Sequence, residues 1–215
     1  MHPFQGNKHY LYHRSTETRG LLYADHLPYR QKATARGIRR TPFHHHLLEQ
    51  GAVMGEVNGW ERANWFANEG QEREYHYSWK RQNWFENSAA EHKAVRENVG
   101  MYDMSSFGKL RVEGPDSEAL LNRVCGANMS VPAGKIVYTQ FLNSTGGIEA
   151  DVTVTRLTET VYLVVTPAAT RLADETHLRR HAEGYQVVVT DVTATEGVLA
   201  IMGPNARDLL AKVSP

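Results

Sequence analysis

Asp151 is the acidic residue whose surroundings say most about chemistry. It opens the run Asp151-Val-Thr-Val-Thr155, in which alternation puts Val152 and Val154 on one face of a strand and Asp151, Thr153 and Thr155 on the other. Aspartate is depleted in strands, and a carboxylate near the centre of a sheet costs free energy unless it is paired. Two readings stand side by side: an acid on a solvated face, or a carboxylate that acts as a base or holds a substrate amine. Other candidates carry less. His44-His45-His46 suggests a metal, but neighbouring helical residues lie about 100° apart around the axis and cannot converge on one ion. No cysteine cluster or second tight His/Asp group supplies the missing ligands, so these rings are expected to pack or hydrogen-bond at a domain surface and no metal is expected. Cys125 sits among Leu121, Val124 and Gly126 near a helix end, which predicts a buried thiol rather than a nucleophile. The stretch Gly59-Trp-Glu-Arg-Ala-Asn-Trp-Phe66 reads as a stacking platform or, in a connecting segment, as an anchor against a neighbouring domain.

The elements that position Asp151 follow from the flanking pattern. Lys135-Ile-Val-Tyr-Thr-Gln-Phe-Leu142 and Ile148-Glu-Ala-Asp-Val-Thr-Val-Thr-Arg-Leu157 alternate on either side of Asn143-Ser-Thr-Gly-Gly147, which predicts a β-hairpin. Val161–Val165, Tyr185–Val189 and Gly197–Met202 are further strands, and a helix is expected from about Pro167 to His181. Val112-Glu-Gly-Pro-Asp-Ser-Glu-Ala-Leu-Leu-Asn-Arg-Val124 and Ile201-Met-Gly-Pro-Asn-Ala-Arg-Asp-Leu-Leu-Ala-Lys-Val213 share one pattern: a strand, Gly-Pro as turn and first helical residue, then a Leu-Leu helix. These two are expected to be related units of a single domain. The fold class is α+β, a mainly antiparallel sheet with helices on one side. Ser88-Ala-Ala-Glu91 reads as a capping box opening a helix to Val99, and Thr41-Pro42 opens a shorter helix closed by Gly51.

Composition limits the choices. The 215 residues carry 24 Lys+Arg and 24 Asp+Glu for zero net charge, which argues against an electrostatic grip on nucleic acid or anionic membrane. No apolar run reaches the roughly 18 residues of a membrane span, and the first residues lack a signal-like apolar stretch. One cysteine excludes an internal disulfide and fits a reducing, cytoplasmic setting. No Gly-x-Gly-x-x-Gly follows a strand and no Gly-x-x-x-x-Gly-Lys-Ser/Thr occurs, so nucleotide or dinucleotide binding by this chain alone is not expected. Residues up to about 87 hold all four tryptophans and eight of the eleven histidines. The expected division is a connecting subdomain over residues 1–87, with Trp60 and Trp65 buried against the following domain or a partner, and an α+β domain over 88–215. The abrupt stop after the second Leu-Leu helix reads as part of a larger protein.

The motifs, taken in order, resemble a known family. Tyr102-Asp-Met-Ser-Ser-Phe-Gly-Lys-Leu-Arg-Val-Glu-Gly-Pro115, Val137-Tyr-Thr-Gln-Phe-Leu-Asn-Ser-Thr-Gly-Gly-Ile-Glu-Ala-Asp-Val-Thr-Val154 and Ile201-Met-Gly-Pro204 are similar to the folate-binding domain of the glycine cleavage T-protein, an aminomethyltransferase. Phe107 and the Glu-Ala-Asp after Gly-Gly are closer to the sarcosine and dimethylglycine dehydrogenases and oxidases. Arg19–Tyr29, Arg40-Thr-Pro-Phe43 and Gly55–Phe66 resemble the segment that joins the flavin domain to the folate domain in those enzymes. The resemblance implies a folate-dependent, flavin-linked demethylating enzyme: a flavin domain oxidises an N-methyl amine to an iminium, and the folate domain captures the one-carbon unit as 5,10-methylenetetrahydrofolate. By the same resemblance Asp151 is the acid beside the reactive folate nitrogens, able to accept their N–H or take a proton. Tyr138 and Phe107 would line the pterin pocket, Thr166 stands at a pocket-asparagine position, and the three residues nearest the pterin would share a cavity. Tetrahydrofolate is the implied cofactor, with FAD held by a flavin domain or subunit outside this chain. Two other readings stay open, a non-catalytic folate-fold module kept for assembly or regulation, and a demethylase that uses folate without a flavin.

Overall fold

The chain is described by a computed structural model over residues 6–214. Along it run α1 (Lys8–Gly20), α2 (His44–Glu49), β1 (Ala52–Val57), β2 (Trp60–Phe66), α3 (Phe85–Glu97), β3 (Gly100–Asp103), β4 (Gly108–Glu113), α4 (Ser117–Val124), β5 (Ile136–Leu142), β6 (Ile148–Arg156), β7 (Val161–Thr166), α5 (Arg171–His181), β8 (Val188–Asp191), β9 (Leu199–Met202) and α6 (Ala206–Val213). Every named strand pairing is antiparallel, in keeping with the α+β class. The chain divides into two compact units, one holding residues up to Ser105 together with Gly197 onward, the other Ser106–Glu196. Neither breaks near residue 87.

The second unit is a five-stranded sheet in the order β5-β6-β7-β4-β8. Strand alternation sorts its side chains. Val152, Val154, Val164 and Val112 point to one face and join Leu120, Leu121 and Val124 of α4 and Leu178 of α5 in the core. Each such side chain taken out of water contributes about 1.5–3 kcal/mol. Asp151, Thr153 and Tyr138 take the opposite parity, in the register Gln140↔Asp151 and Tyr138↔Thr153. The hairpin loop is fastened by Asn143, whose Oδ1 accepts from the backbone amides of Thr145 (3.0 Å) and Gly147 (2.8 Å), while Gly146 takes φ +82°. An Asx-type bond of this kind and a left-handed glycine reverse the chain without strain.

In the first unit β1 and β2 form a hairpin in which Val57 pairs with Trp60. Asn58 (φ +53°) and Gly59 (φ +81°) make the two-residue turn, the combination that matches the right-handed twist of paired strands. Trp65 is fully buried and stacks on Trp84 at 6.3 Å between ring centroids, and Trp60 lies under the Arg39 guanidinium at 3.9 Å. Both tryptophans are buried, and their ring contacts are with side chains of their own unit, where a following domain or a partner was expected. Glu61 binds Arg36 through both carboxylate oxygens, at 2.8 and 2.6 Å. Burial works against its charge, but the Arg36 guanidinium and the Gly37 amide hold its carboxyl below the usual range.

Three expectations need correction. The helix predicted from Ser88 begins at Phe85, and its N-cap is Trp84 without a side-chain cap. Packing of Trp84 on Trp65 and Tyr75 sets that start, and Glu91, expected to close a capping box, accepts from the Phe66 amide at 3.2 Å. The helix expected from Pro167 starts at Arg171. The two strand–Gly-Pro–helix repeats do not share a sheet: β4 belongs to the five-stranded sheet, while β9 pairs with β3 in the other compact unit. What they share is local. Gly114 (φ +141°) and Gly203 (φ +126°) both take conformations that L side chains avoid, and a Cβ at either would strike a backbone carbonyl, of Gln186 or of Asn98.

Candidate functional site

The Asp151 carboxylate stands on the sheet face opposite α4 and α5, exposed on β6. Its neighbours come from β5. Gln140 lies directly across and donates from Nε2 to Oδ1 at 3.3 Å. Tyr138, one step along the diagonal, hydrogen-bonds to the same carboxylate, and that bond raises the phenol's pKa above its ordinary value. The direction follows from charge, since removing the phenolic proton would set an anion beside a carboxylate. Two donors do not exhaust a carboxylate, which offers about four acceptor sites. The group is therefore an oriented acceptor with capacity left for an N–H, beside a tyrosine ring that is 65% exposed. Reasoning from the sequence passed over Gln140, although its parity on β5 is that of Tyr138.

Thr166 is not part of this face. Val165 pairs with Thr153 and so shares Asp151's side, which turns Thr166 to the helix-covered side. There it is 1% exposed, and its hydroxyl donates to Asp174 of α5, which also accepts from Thr170 at 2.8 Å. Its polar atom is committed to fastening the start of α5. The two-residue period thus sets Thr166 on the face opposite Asp151, and it does not join the cluster in which the resemblance placed it. Phe107 is half-buried in the turn before β4, and its carbonyl accepts from Lys109 Nζ at 3.1 Å. The structure thus brings Tyr138 and Asp151 together on an open face, where a cavity lined also by Phe107 was expected. Of the other candidates, Cys125 is 7% exposed and burial pushes its thiol up to about 12, so it is not a nucleophile at neutral pH. His44 is buried at the start of α2, where burial and then Arg40 lower its pKa.

The profile of the GCVT N-terminal domain matches residues 43–215. The chain belongs to this family. The profile of the FAD dependent oxidoreductase central domain matches residues 1–41, so the two parts expected from the motifs are both present, with the change at residues 41–43. A 4-methylaminobutanoate oxidase (formaldehyde-forming) of Paenarthrobacter nicotinovorans is 46% identical over 98% of this chain and 26% of its own length. Mitochondrial dimethylglycine dehydrogenase of Rattus norvegicus is 31% identical over 87% of this chain and 22% of its own. The chain therefore spans about a quarter of the length of these two relatives. The crystal structure of glycine cleavage system aminomethyltransferase T from Bartonella henselae superposes with a TM-score of 0.68 at 24% identity, covering 81% of this chain and 43% of that one. That likeness establishes the shared fold. Among the described residues no helix is long and apolar enough to cross a membrane.

Proposed function

We propose that this chain is the folate-side portion of a flavin-linked enzyme that demethylates small N-methyl amines, working in a cytoplasmic setting. The observation that carries the reading is the Asp151 carboxylate, held by Gln140 and Tyr138 on an exposed face and keeping unused acceptor capacity. Such a group suits a ligand that offers an amine N–H and a flat ring, which is the chemistry of a reduced pterin. Asp151 would accept that N–H, hold the nitrogen's lone pair toward the incoming carbon and take the proton released as the new C–N bond forms. Tyr138 would lie against the ring and, with Gln140, keep the carboxylate aimed. Phe107 would pack at the pterin's edge, whereas the Thr166 hydroxyl is held by Asp174 on the other face of the sheet. Bound tetrahydrofolate would supply the nucleophilic amines that accept the one-carbon unit. The match to the FAD oxidoreductase central domain over residues 1–41 supports a flavin domain or subunit as partner, and the names of both curated relatives support an N-methylated amino acid as the source of the iminium.

The relative named for forming formaldehyde makes the fate of the carbon the quantity to measure. In the complete enzyme carrying Asp151→Asn, flavin reduction should be largely unchanged. Formation of methylenetetrahydrofolate should drop by about 10²–10⁴-fold, the range for a positioned acid–base group, with formaldehyde released in its place. Folate product at the wild-type rate would make Asp151 a solvated acid and overturn the assignment.

A further inference from the structure

A row of side chains crosses the face of the five-stranded sheet that carries Asp151. Tyr138 pairs with Thr153, Thr153 with Val165 and Val165 with Lys109, so all four stand on that face. Two strand spacings, about 10 Å, separate the strands of Asp151 and Lys109. The ends of the row differ. Tyr138 is 65% exposed and Lys109 is 1% exposed. Lysine is among the residues least often fully buried, and its long side chain loses rotamer freedom when it is fixed. An apolar residue would fill the same volume without either cost, so the amine is expected to act on a neighbour.

That neighbour is Phe107, whose carbonyl accepts from Lys109 Nζ at 3.1 Å. The start of β4 is fixed from other sides as well. The Lys109 amide donates to Thr193 Oγ1 at 3.0 Å, and the Thr193 amide donates to Asp191 Oδ1 at 3.0 Å. Arg171 of α5 in turn donates to Asp191 at 2.6 Å and to Glu175 at 2.9 Å. Gly108 lies so close to α5 and β7 that a Cβ would come within 2.5 Å of the Arg171 side chain and 2.7 Å of Thr166. The strand therefore enters the sheet in one position, and the bond from Nζ carries that order back to Phe107.

We propose that Lys109 is a positioning residue: by holding the Phe107 carbonyl it sets where the Phe107 ring stands beside the Asp151 face, before a ligand arrives. A ring fixed in advance loses little freedom on binding. The inference rests on the reading of this face as the side that takes the pterin. It gives Lys109 no contact with the ligand and no part in proton transfer. Asp151 acts on the reacting nitrogen, so its loss is felt in the rate of capture. Lys109 acts through Phe107, so its loss is felt in affinity.

The test uses the complete enzyme and two measurements: the dissociation constant of tetrahydrofolate by anaerobic titration calorimetry, and the rate of methylenetetrahydrofolate formation at saturating folate. Lys109→Met should raise the dissociation constant about 3- to 10-fold, the worth of one aromatic contact, and leave the saturated rate within about twofold. Phe107→Ala should do the same. The double variant should bind no worse than Phe107→Ala alone, because Lys109 then has nothing left to position. If circular dichroism shows that Lys109→Met does not fold, Lys109→Gln decides, since its shorter side chain does not reach the carbonyl and the same rise is expected. Wild-type affinity in a folded Lys109 variant, beside weakened binding in Phe107→Ala, would overturn the inference and leave the folate reading standing. Effects that add in the double variant would also overturn it, being the mark of a direct ligand contact or a separate structural fault. So would a lost saturated rate at unchanged affinity. Wild-type affinity in Phe107→Ala would remove Phe107 from the reading and this inference with it. Folate product at the wild-type rate in Asp151→Asn would instead overturn the role of Asp151 without touching the coupling of Lys109 to Phe107, which the binding data report by themselves.

Discussion

The two strand–Gly-Pro–helix segments have nearly the same local sequence and quite different surroundings. Gly114 and Gly203 make the same left-handed turn, and Asp116 and Asn205 cap the following helix with similar backbone angles, φ −98° and −96°. In the first copy Leu120, Leu121 and Val124 are buried to 1% exposure or less, whereas α6 has no buried residue and leaves Leu210 at 45% and Val213 at 69%. The turn is written in the residues that make it. Burial is not, because it depends on what other strands and helices bring to the same place: α4 meets Phe141, Val154 and Leu178, while β9 has β3 as its one paired strand. A repeated motif is therefore good grounds for predicting a backbone path and poor grounds for predicting a shared core.

Truncating the matched leucines should show the contrast at full size. Leu121→Ala removes a side chain with no solvent exposure and should cost about 2–5 kcal/mol. Leu210→Ala should change stability by no more than about 0.5 kcal/mol. Urea unfolding of the two variants measures both, and equal losses would mean that the face of α6 is covered in solution and that the contrast between the copies is false.

The turn glycines should reverse the pattern. Gly114→Ala and Gly203→Ala each force a side chain into a positive-φ conformation and against a backbone carbonyl, which should cost more than about 1 kcal/mol in either copy whatever the burial of the helix that follows. The same unfolding measurement checks it. A loss confined to Gly114→Ala would show that the second turn relaxes freely, and that even the local likeness is weaker than the backbone angles indicate.

The same division between local and non-local information explains which features could be read in advance. The β5–β6 hairpin was legible because alternation on both strands agrees with the Asn143–Gly147 turn, and it carried Asp151 and Tyr138 to one face. The β1–β2 hairpin is hard to read although Asn58-Gly59 is a strong turn signal, because Trp60 is buried out of step with Glu61, Ala63 and Trp65, which blurs a period of two. Helix α1 has no buried residue, so no apolar stripe announced it, and its one mark is Asn7, whose side chain accepts from the Tyr10 amide at 3.1 Å. Thr166 was placed by resemblance alone, and the pairing of its neighbour Val165 sends it to the other face.

The smallest effect concerns the residue that follows each helix, Cys125 in the first copy and Ser214 in the second. Cys125 is 7% exposed, and its amide donates to the Leu121 carbonyl at 2.9 Å, so the thiol sits where α4 closes onto the sheet. Burial pushes its pKa up to about 12, well above the roughly 8.5 of a thiol in an unfolded chain. The folded state thus keeps the thiol neutral while the unfolded chain gives up its proton. The stability that follows from this difference is complete below the unfolded pKa and drains away as pH rises toward the folded one. Between pH 8 and pH 10 the loss attributable to Cys125 should be about 1–2 kcal/mol. Other groups titrate in the same range, so the informative quantity is the difference between wild type and Cys125→Ala, in which their contributions cancel. The variant should start lower and fall less steeply by that amount in urea midpoints taken across the interval, while Ser214→Ala should run parallel to wild type. Parallel curves for Cys125→Ala would mean that the thiol ionises as easily folded as unfolded. The end of α4 would then be as open to water as the end of α6, and the two copies would differ less in solution than their side-chain packing implies.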